Sequence, residues 1–351
     1  MTERALAASR VPATTAGNHP PFFFAERIRM RRTVLLSLAL LGLAAAQANA
    51  DGGSITGYMF GDYYYVVSAD ANEPDYPEQQ NAVQFRRIYC TYDRGLSDAL
   101  SMRFRLEAND PGFGSTSKLV PYVKHAYLRW RGAVGSGDLY LGLIGTPTFE
   151  VAEKVWGYRS IEKTIMDLNR IGSSADMGAV IQGRAGAVAY TLMAGNGPGQ
   201  SPETDNGKKL YASVDYVGIE GVHLEGYGDV NMRPGGRDQL TAKAFCGLQR
   251  EPYRAGLEAF VRVNKKQAGN DDQQLTGLSA FGAARLRPGW TGFARADAVH
   301  DDSDDTTDML VIAGVDRAVT EQVHLMPNLY VAVPDGPDPN VQARLTLFFE
   351  F

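Results

Sequence analysis

From residue 51 onward the chain alternates apolar and polar residues in segments of about ten, bounded by clusters of Gly, Pro, Asn and Asp. A repeat of two is that of a β-strand, whose successive side chains point to opposite faces. The last segment, 341–351, shows it most plainly. Val341, Ala343, Leu345, Leu347, Phe349 and Phe351 fall on one face, and Gln342, Arg344, Thr346, Phe348 and Glu350 on the other. Segment 100–108 opposes Leu100, Met102, Phe104, Leu106 and Ala108 to Ser101, Arg103, Arg105 and Glu107. Segments 208–217 and 222–230 set Lys209, Tyr211, Asp215, Glu225 and Asp229 on the polar side.

Sixteen such segments are expected, near 54–69, 82–93, 100–108, 120–131, 138–145, 175–184, 187–195, 208–217, 222–230, 239–250, 253–264, 273–287, 290–300, 308–318, 323–333 and 341–351, with 14 or 18 as the neighbouring counts. Their connections alternate in length. Gly95-Leu96-Ser97, Ala185-Gly186, 218–221, Glu251-Pro252 and Pro288-Gly289 are tight, whereas 70–81, 109–119, 146–174, 196–207, 265–272, 301–307 and 334–340 are longer. Long strands in even number, with short turns at one end and long loops at the other, predict an all-β fold over 51–351: a closed antiparallel transmembrane β-barrel. In lipid every backbone N–H and C=O needs a partner, and a closed sheet supplies them without an edge. Apolar faces then turn outward, and polar faces line a bore too wide for side chains to fill. A soluble sandwich, the competing architecture, uses strands of about 5–6 residues. Three places break the pattern: 58–67 is apolar on both faces, 309–315 shows no clean alternation, and Pro327, lacking a ladder donor, is expected to mark a bulge.

The N-terminal end reads differently. Met30-Arg31-Arg32, the apolar run 34–46 and Gln47-Ala48-Asn49-Ala50 form an export signal, with translation expected to start at Met30 and cleavage after Ala50. That run is too short to span a bilayer as a helix, and no longer one exists, which excludes a helical membrane bundle. Residues 1–50 are therefore leader and signal, outside the fold. They carry six Lys+Arg and two Asp+Glu, so their removal takes the formal charge from −5 to −9. Such a chain does not suit nucleic acid.

Cys90 and Cys246 lie eight segments apart and are expected to stay unpaired, with Cys246 on the lipid face beside Ala242, Ala244 and Leu248. His125, His223, His300 and His324 have no paired spacing, so no metal or cofactor is expected. The acidic run 301–305 reads as solvated loop charge. No Gly-x-Ser-x-Gly elbow is present and no catalytic residue is nominated, which leaves a barrel enzyme or adhesin as an alternative only. Tyr63, Tyr64, Tyr65, Trp130 and Trp290 suit aromatic belts at the lipid boundaries, with a sugar-stacking track as the alternative for the tyrosines.

Gly57-Tyr58-Met59-Phe60, Lys124-His125-Ala126-Tyr127-Leu128, the segment 139–144 running into Gly145-Thr146-Pro147-Thr148-Phe149-Glu150, and the terminal Phe351 carry a resemblance. The mature chain resembles the sixteen-stranded Gram-negative outer-membrane porins, particularly the group that includes the phosphate-selective porins O and P. The resemblance implies export through the periplasm to the outer membrane, contact with its lipid and lipopolysaccharide, and reading of Phe351 by the barrel-assembly machinery. It further implies a homotrimer and a water-filled channel for passive diffusion of small hydrophilic solutes and ions, with one long loop folded inward as a constriction.

The matching loop is 146–174, which carries Glu150, Glu153, Glu162 and Asp167 with Lys154, Arg159, Lys163 and Arg170. Opposite it, Arg86, Arg103, Arg105 and Arg129 lie on three successive segments and are expected to face the bore as one compact basic patch, since strands stand about 4.8 Å apart. These four arginines, with Glu150, Glu153, Lys154, Arg159, Glu162, Lys163 and Asp167, are the candidate constriction residues. The phosphate-selective porins resemble one another in a ladder of arginines. Here the expected bore mixes Lys209, Lys243, Arg254, Arg262, Arg295 and Arg344 with Asp215, Glu225, Asp229, Glu258, Asp297 and Glu350. Weakly selective diffusion is therefore the expectation, and phosphate-, other anion- or sugar-specific passage the alternative.

Overall fold

The computed structural model describes residues 52–69, 77–109, 118–265, 271–336 and 338–351. The expected leader and signal, and the acidic residues 70–76, lie outside the described residues. Sixteen strands follow one another: β1 (Gly53–Ser68), β2 (Asn81–Gly95), β3 (Leu100–Asn109), β4 (Tyr122–Val134), β5 (Gly137–Gly145), β6 (Ala175–Ala185), β7 (Val188–Gly195), β8 (Lys208–Tyr216), β9 (Val222–Met232), β10 (Gln239–Arg250), β11 (Tyr253–Asn264), β12 (Gln273–Arg287), β13 (Trp290–Asp301), β14 (Thr306–Ala318), β15 (Val323–Val333) and β16 (Asn340–Glu350). Each pairs antiparallel with its neighbour in sequence, and β1 closes on β16. At the closure Gly57 N–H donates to the Phe351 carbonyl at 3.0 Å and Phe351 N–H returns the bond at 2.9 Å. Gly57 has no room for a side chain, because a Cβ there would stand 2.6 Å from the Tyr89 carbonyl oxygen.

Exposure runs opposite to that of a water-soluble protein. Leu257 and Leu278 are each 58 % exposed, whereas Glu258 is 1 %, Arg295 2 % and Lys243 4 % exposed. The outer face is therefore the apolar one, as hydrocarbon surroundings require. Cys90 and Cys246 are both exposed and free. Connections of two to five residues (β2–β3, β4–β5 and every second one thereafter) gather at one end, here the short-turn end, and the longer loops gather at the other.

The bore departs from the expectation of a wholly hydrated lining. Phe245, Phe281, Phe293, Leu310, Ile312 and Met326 all point inward and are buried. This accounts for the ambiguous stretch 309–315: Met309 and Val311 face out, while Leu310 and Ile312 face a second apolar surface inside. Likewise on β1, Phe60, Tyr64 and Val66 turn inward while Tyr63, Tyr65 and Val67 face out, so Tyr64 does not belong to an outer belt. Pro327 marks no bulge. Its β16 partner Leu345 keeps register, and the β14–β15 ladder lapses between Gly314↔Asn328 and Arg317↔Leu325 without a shift. The acidic run after β13 is a bonded turn, with Asp301 accepting from the Ser303 N–H at 2.9 Å and Asp302 from the Gln274 N–H at 2.6 Å.

Candidate functional site

The inner apolar surface is covered by the connection between β5 and β6, which folds into the barrel. It carries two short helices, α1 (Glu150–Trp156) and α2 (Ile165–Leu168). Glu150 and Glu153 occupy the first turn of α1 and Lys154 its last, the arrangement a helix dipole favours. Gly157 ends α1 at φ 69°, and its N–H donates to the Glu153 carbonyl at 3.0 Å. Val155, Trp156 and Ile161 pack on Phe281, Phe293 and Ile312, and Ile165, Met166 and Ile171 pack on Val180, Met193 and Phe260. Each such fully buried side chain stabilises the docked loop by roughly 1.5–3 kcal/mol.

Backbone groups of the loop that find no partner within it are met by cations from the wall, as buried carbonyls demand. Lys243 donates to the Thr148 carbonyl at 2.9 Å, Arg262 and Arg295 donate to the carbonyls of Ile171 and Lys163, and Arg86 donates to those of Ser160 and Ile161 at 3.1 and 2.7 Å. These donors come from β10, β11, β13 and β2, so the loop is gripped from across the bore. Glu162 sits between Arg86 at 3.4 Å and Arg344 at 3.9 Å. Burial opposes its ionisation, but Arg86, Arg344 and the Lys163 N–H outweigh burial and hold its carboxyl below the usual carboxylate range.

The side left open divides into chambers. One of about 530 Å³, towards the long loops, is lined by Arg86, Lys163, Tyr330 and Arg344. One of about 750 Å³, towards the short turns, lies between β1–β5 and the loop. Arg87 and Arg159 line both, so this pair stands between the two. A third chamber of about 850 Å³ lies beneath the loop tip, between Tyr158 and the turns at Pro252 and Gly289.

The four expected wall arginines do not form one patch. Arg86 grips the loop. Arg103 makes a two-pronged pair with Asp93 at 2.7 and 2.8 Å, and Arg129 bonds Asp138 at 2.9 Å through Nε. Arg105 donates to Thr91 Oγ1 at 2.7 Å and, with Arg103 and Arg129, lines the 750 Å³ chamber. Of the loop residues, Glu150, Glu153 and Asp167 face that chamber, and Arg159 is held by Glu153 at 3.1 Å and Asp167 at 3.3 Å. Lys163 faces the other chamber and Lys154 is exposed.

Two residues escaped the sequence pattern for one reason. The β1–β2 ladder passes from Phe60↔Arg87 to Gly61↔Phe85, so Arg86 is an extra residue and both Arg86 and Arg87 turn inward. The β3–β4 ladder passes from Arg105↔His125 to Leu106↔Val123, so Lys124 likewise joins His125 inside. Glu107 then lies between Arg87 at 3.2 Å and Lys124 at 2.9 Å, 1 % exposed. Strict alternation sends one of each adjacent pair to the lipid, and nothing in the sequence announces a bulge.

Similar architectures exist among solved structures. An anion-selective porin from Comamonas acidovorans superposes with a TM-score of 0.65 at 11 % identity, over 86 % of this chain and 99 % of that one. This is a porin fold. The outer-membrane channel DcaP of Acinetobacter baumannii gives 0.64 at 12 % identity, over 86 % and 98 % of the two chains. A loop-deleted OmpT of Vibrio cholerae gives 0.61 at 12 %, over 86 % and 100 %. No family model matches the chain, and no curated protein sequence matches it. The likeness thus lies in the barrel architecture as a whole.

Proposed function

We propose that the chain is an outer-membrane porin through which small hydrophilic solutes and ions diffuse passively, with a preference for anions. The observation that carries this is a closed barrel with an inward loop that leaves two chambers beside it, with Arg87 and Arg159 between them. The preference rests on the lining of the larger of the two: Arg87, Arg94, Arg103, Arg105, Lys124, Arg129 and Arg159 against Asp93, Glu150, Glu153 and Asp167. A local excess of cations inside an acidic chain raises the anion concentration in that chamber. Passage involves fixed charge and hydration only, with no covalent step.

Single-channel recording in planar bilayers tests the reading. An ohmic pore whose zero-current potential under a salt gradient has the anion-selective sign supports it. A folded, heat-modifiable barrel that passes no current defeats it. Phosphate-specific passage, implied by the resemblance to phosphate-selective porins, is the narrower reading, favoured by the same cationic lining. Half-block of the chloride current by submillimolar phosphate is its expected mark. A trimer also rests on the resemblance; one of the similar OmpT structures is described as a trimer. Mass measurement of the detergent-solubilised protein decides it.

A further inference from the structure

The basic wall of the short-turn chamber is interleaved with aromatic rings. Tyr58 on β1, Tyr89 on β2, Tyr127 on β4 and Tyr140 on β5 all line it. Arg105 and Arg87 lie over the Tyr89 ring at 5.5 and 5.9 Å, and Arg129 over Tyr140 at 5.7 Å. The Tyr58 and Tyr89 ring centroids are 4.5 Å apart, and Tyr127 meets Tyr140 edge-on at 5.6 Å. The tyrosines therefore fall into two pairs, each carrying a guanidinium. Tyr58, Tyr127 and Tyr140 are only half-buried, so part of each ring remains open to the chamber.

Different anions make different use of such a wall. A compact, strongly hydrated anion such as chloride or phosphate engages the charges and gains little from ring faces. An ion with its carboxylate on a flat π-system engages both. The carboxylate accepts N–H bonds from a guanidinium while the ring stacks on a guanidinium plane or meets a phenol edge. On the opposite wall, Phe281 and Phe293 are covered by the loop, which confines this combination to the open side.

We propose, on the footing of the channel reading above, that the short-turn chamber recognises aromatic carboxylates in preference to saturated carboxylates of equal charge and size. The test is interruption of the single-channel current in the purified full-length protein by benzoate or by cyclohexanecarboxylate. The saturated ring is the more hydrophobic, so a preference for benzoate does not arise from hydrophobic partition. The expected half-blocking concentration is about fivefold lower for benzoate, the size of one stacking contact. The double variant Tyr127→Leu, Tyr140→Leu removes one of the two pairs and brings the two values closer, the further change Tyr58→Leu brings them together, and Tyr127→Phe, Tyr140→Phe keeps them apart. Equal values in the unaltered protein, or a preference undiminished in the triple leucine variant, overturn the proposal while an ohmic current leaves the channel reading standing. Absence of any current from the folded barrel defeats both.

Discussion

Reversal of charge at Arg105 probes the electrostatics of the passage with little risk to the fold. Its Nε bonds a threonine hydroxyl, and the neighbouring Arg103 and Arg129 carry their own carboxylate partners. In Arg105→Glu the fixed charge of the chamber falls by two. One unit charge acts on an ion passing about 6 Å away with about 0.7 kcal/mol in water, and a Debye length of about 10 Å at 0.1 M salt removes nearly half of that. Two charges thus raise the anion barrier by about 0.8 kcal/mol and lower the cation barrier by as much. The anion-to-cation permeability ratio falls roughly tenfold, since about 1.4 kcal/mol is a factor of ten. Zero-current potentials of the two proteins, recorded in planar bilayers under one potassium chloride gradient, measure the shift directly. The potential of the variant moves toward the cation side and does so less at 1 M than at 0.1 M salt. An unchanged potential in a heat-modifiable, conducting barrel refutes the placement of Arg105 on the ion path.

Three further outcomes follow from the geometry. Trp156→Ala removes the largest buried side chain of the loop and costs its docking about 3–5 kcal/mol, so the barrel folds but its conductance becomes larger and noisier in bilayer recordings. The Glu162 carboxyl is depressed in the docked loop, so its contribution to docking is full above the ordinary carboxylate range near 4.5 and is lost as pH falls through the lower docked value. Current noise is expected to rise on acidification through that window in the unaltered protein and not in Glu162→Gln. Leu278→Arg places a charge on the lipid face and costs about 2–4 kcal/mol if mid-membrane, whereas Ser279→Arg points inward and costs less in lipid contact; urea titration of folding into vesicles compares them.

The alternation alone made the strands legible, because hydrocarbon outside and water inside leave each strand no freedom to mix its faces. Where one face met neither solvent, the signal failed: Leu310 and Ile312 look no different from Met309 and Val311, since all four lie against apolar matter. The length of 146–174 drew attention to the loop, and its charges were visible, but which of them dock and which face the passage was not. Arg86 and Glu162 read like Arg105 and Glu153 in one dimension. Only the wall opposite makes the first pair clamps and leaves the second pair facing the open chamber.

The sequence by itself determined a sixteen-strand barrel with its apolar side outward, because that pattern is repeated at every second residue and needs no knowledge of distant neighbours. Tertiary structure decided the shape and charge of the passage. One-residue bulges at Arg86 and Lys124, and a loop fastened to strands far away in the chain, set which cations line the bore; these depend on the pairing register between strands, which local periodicity does not encode.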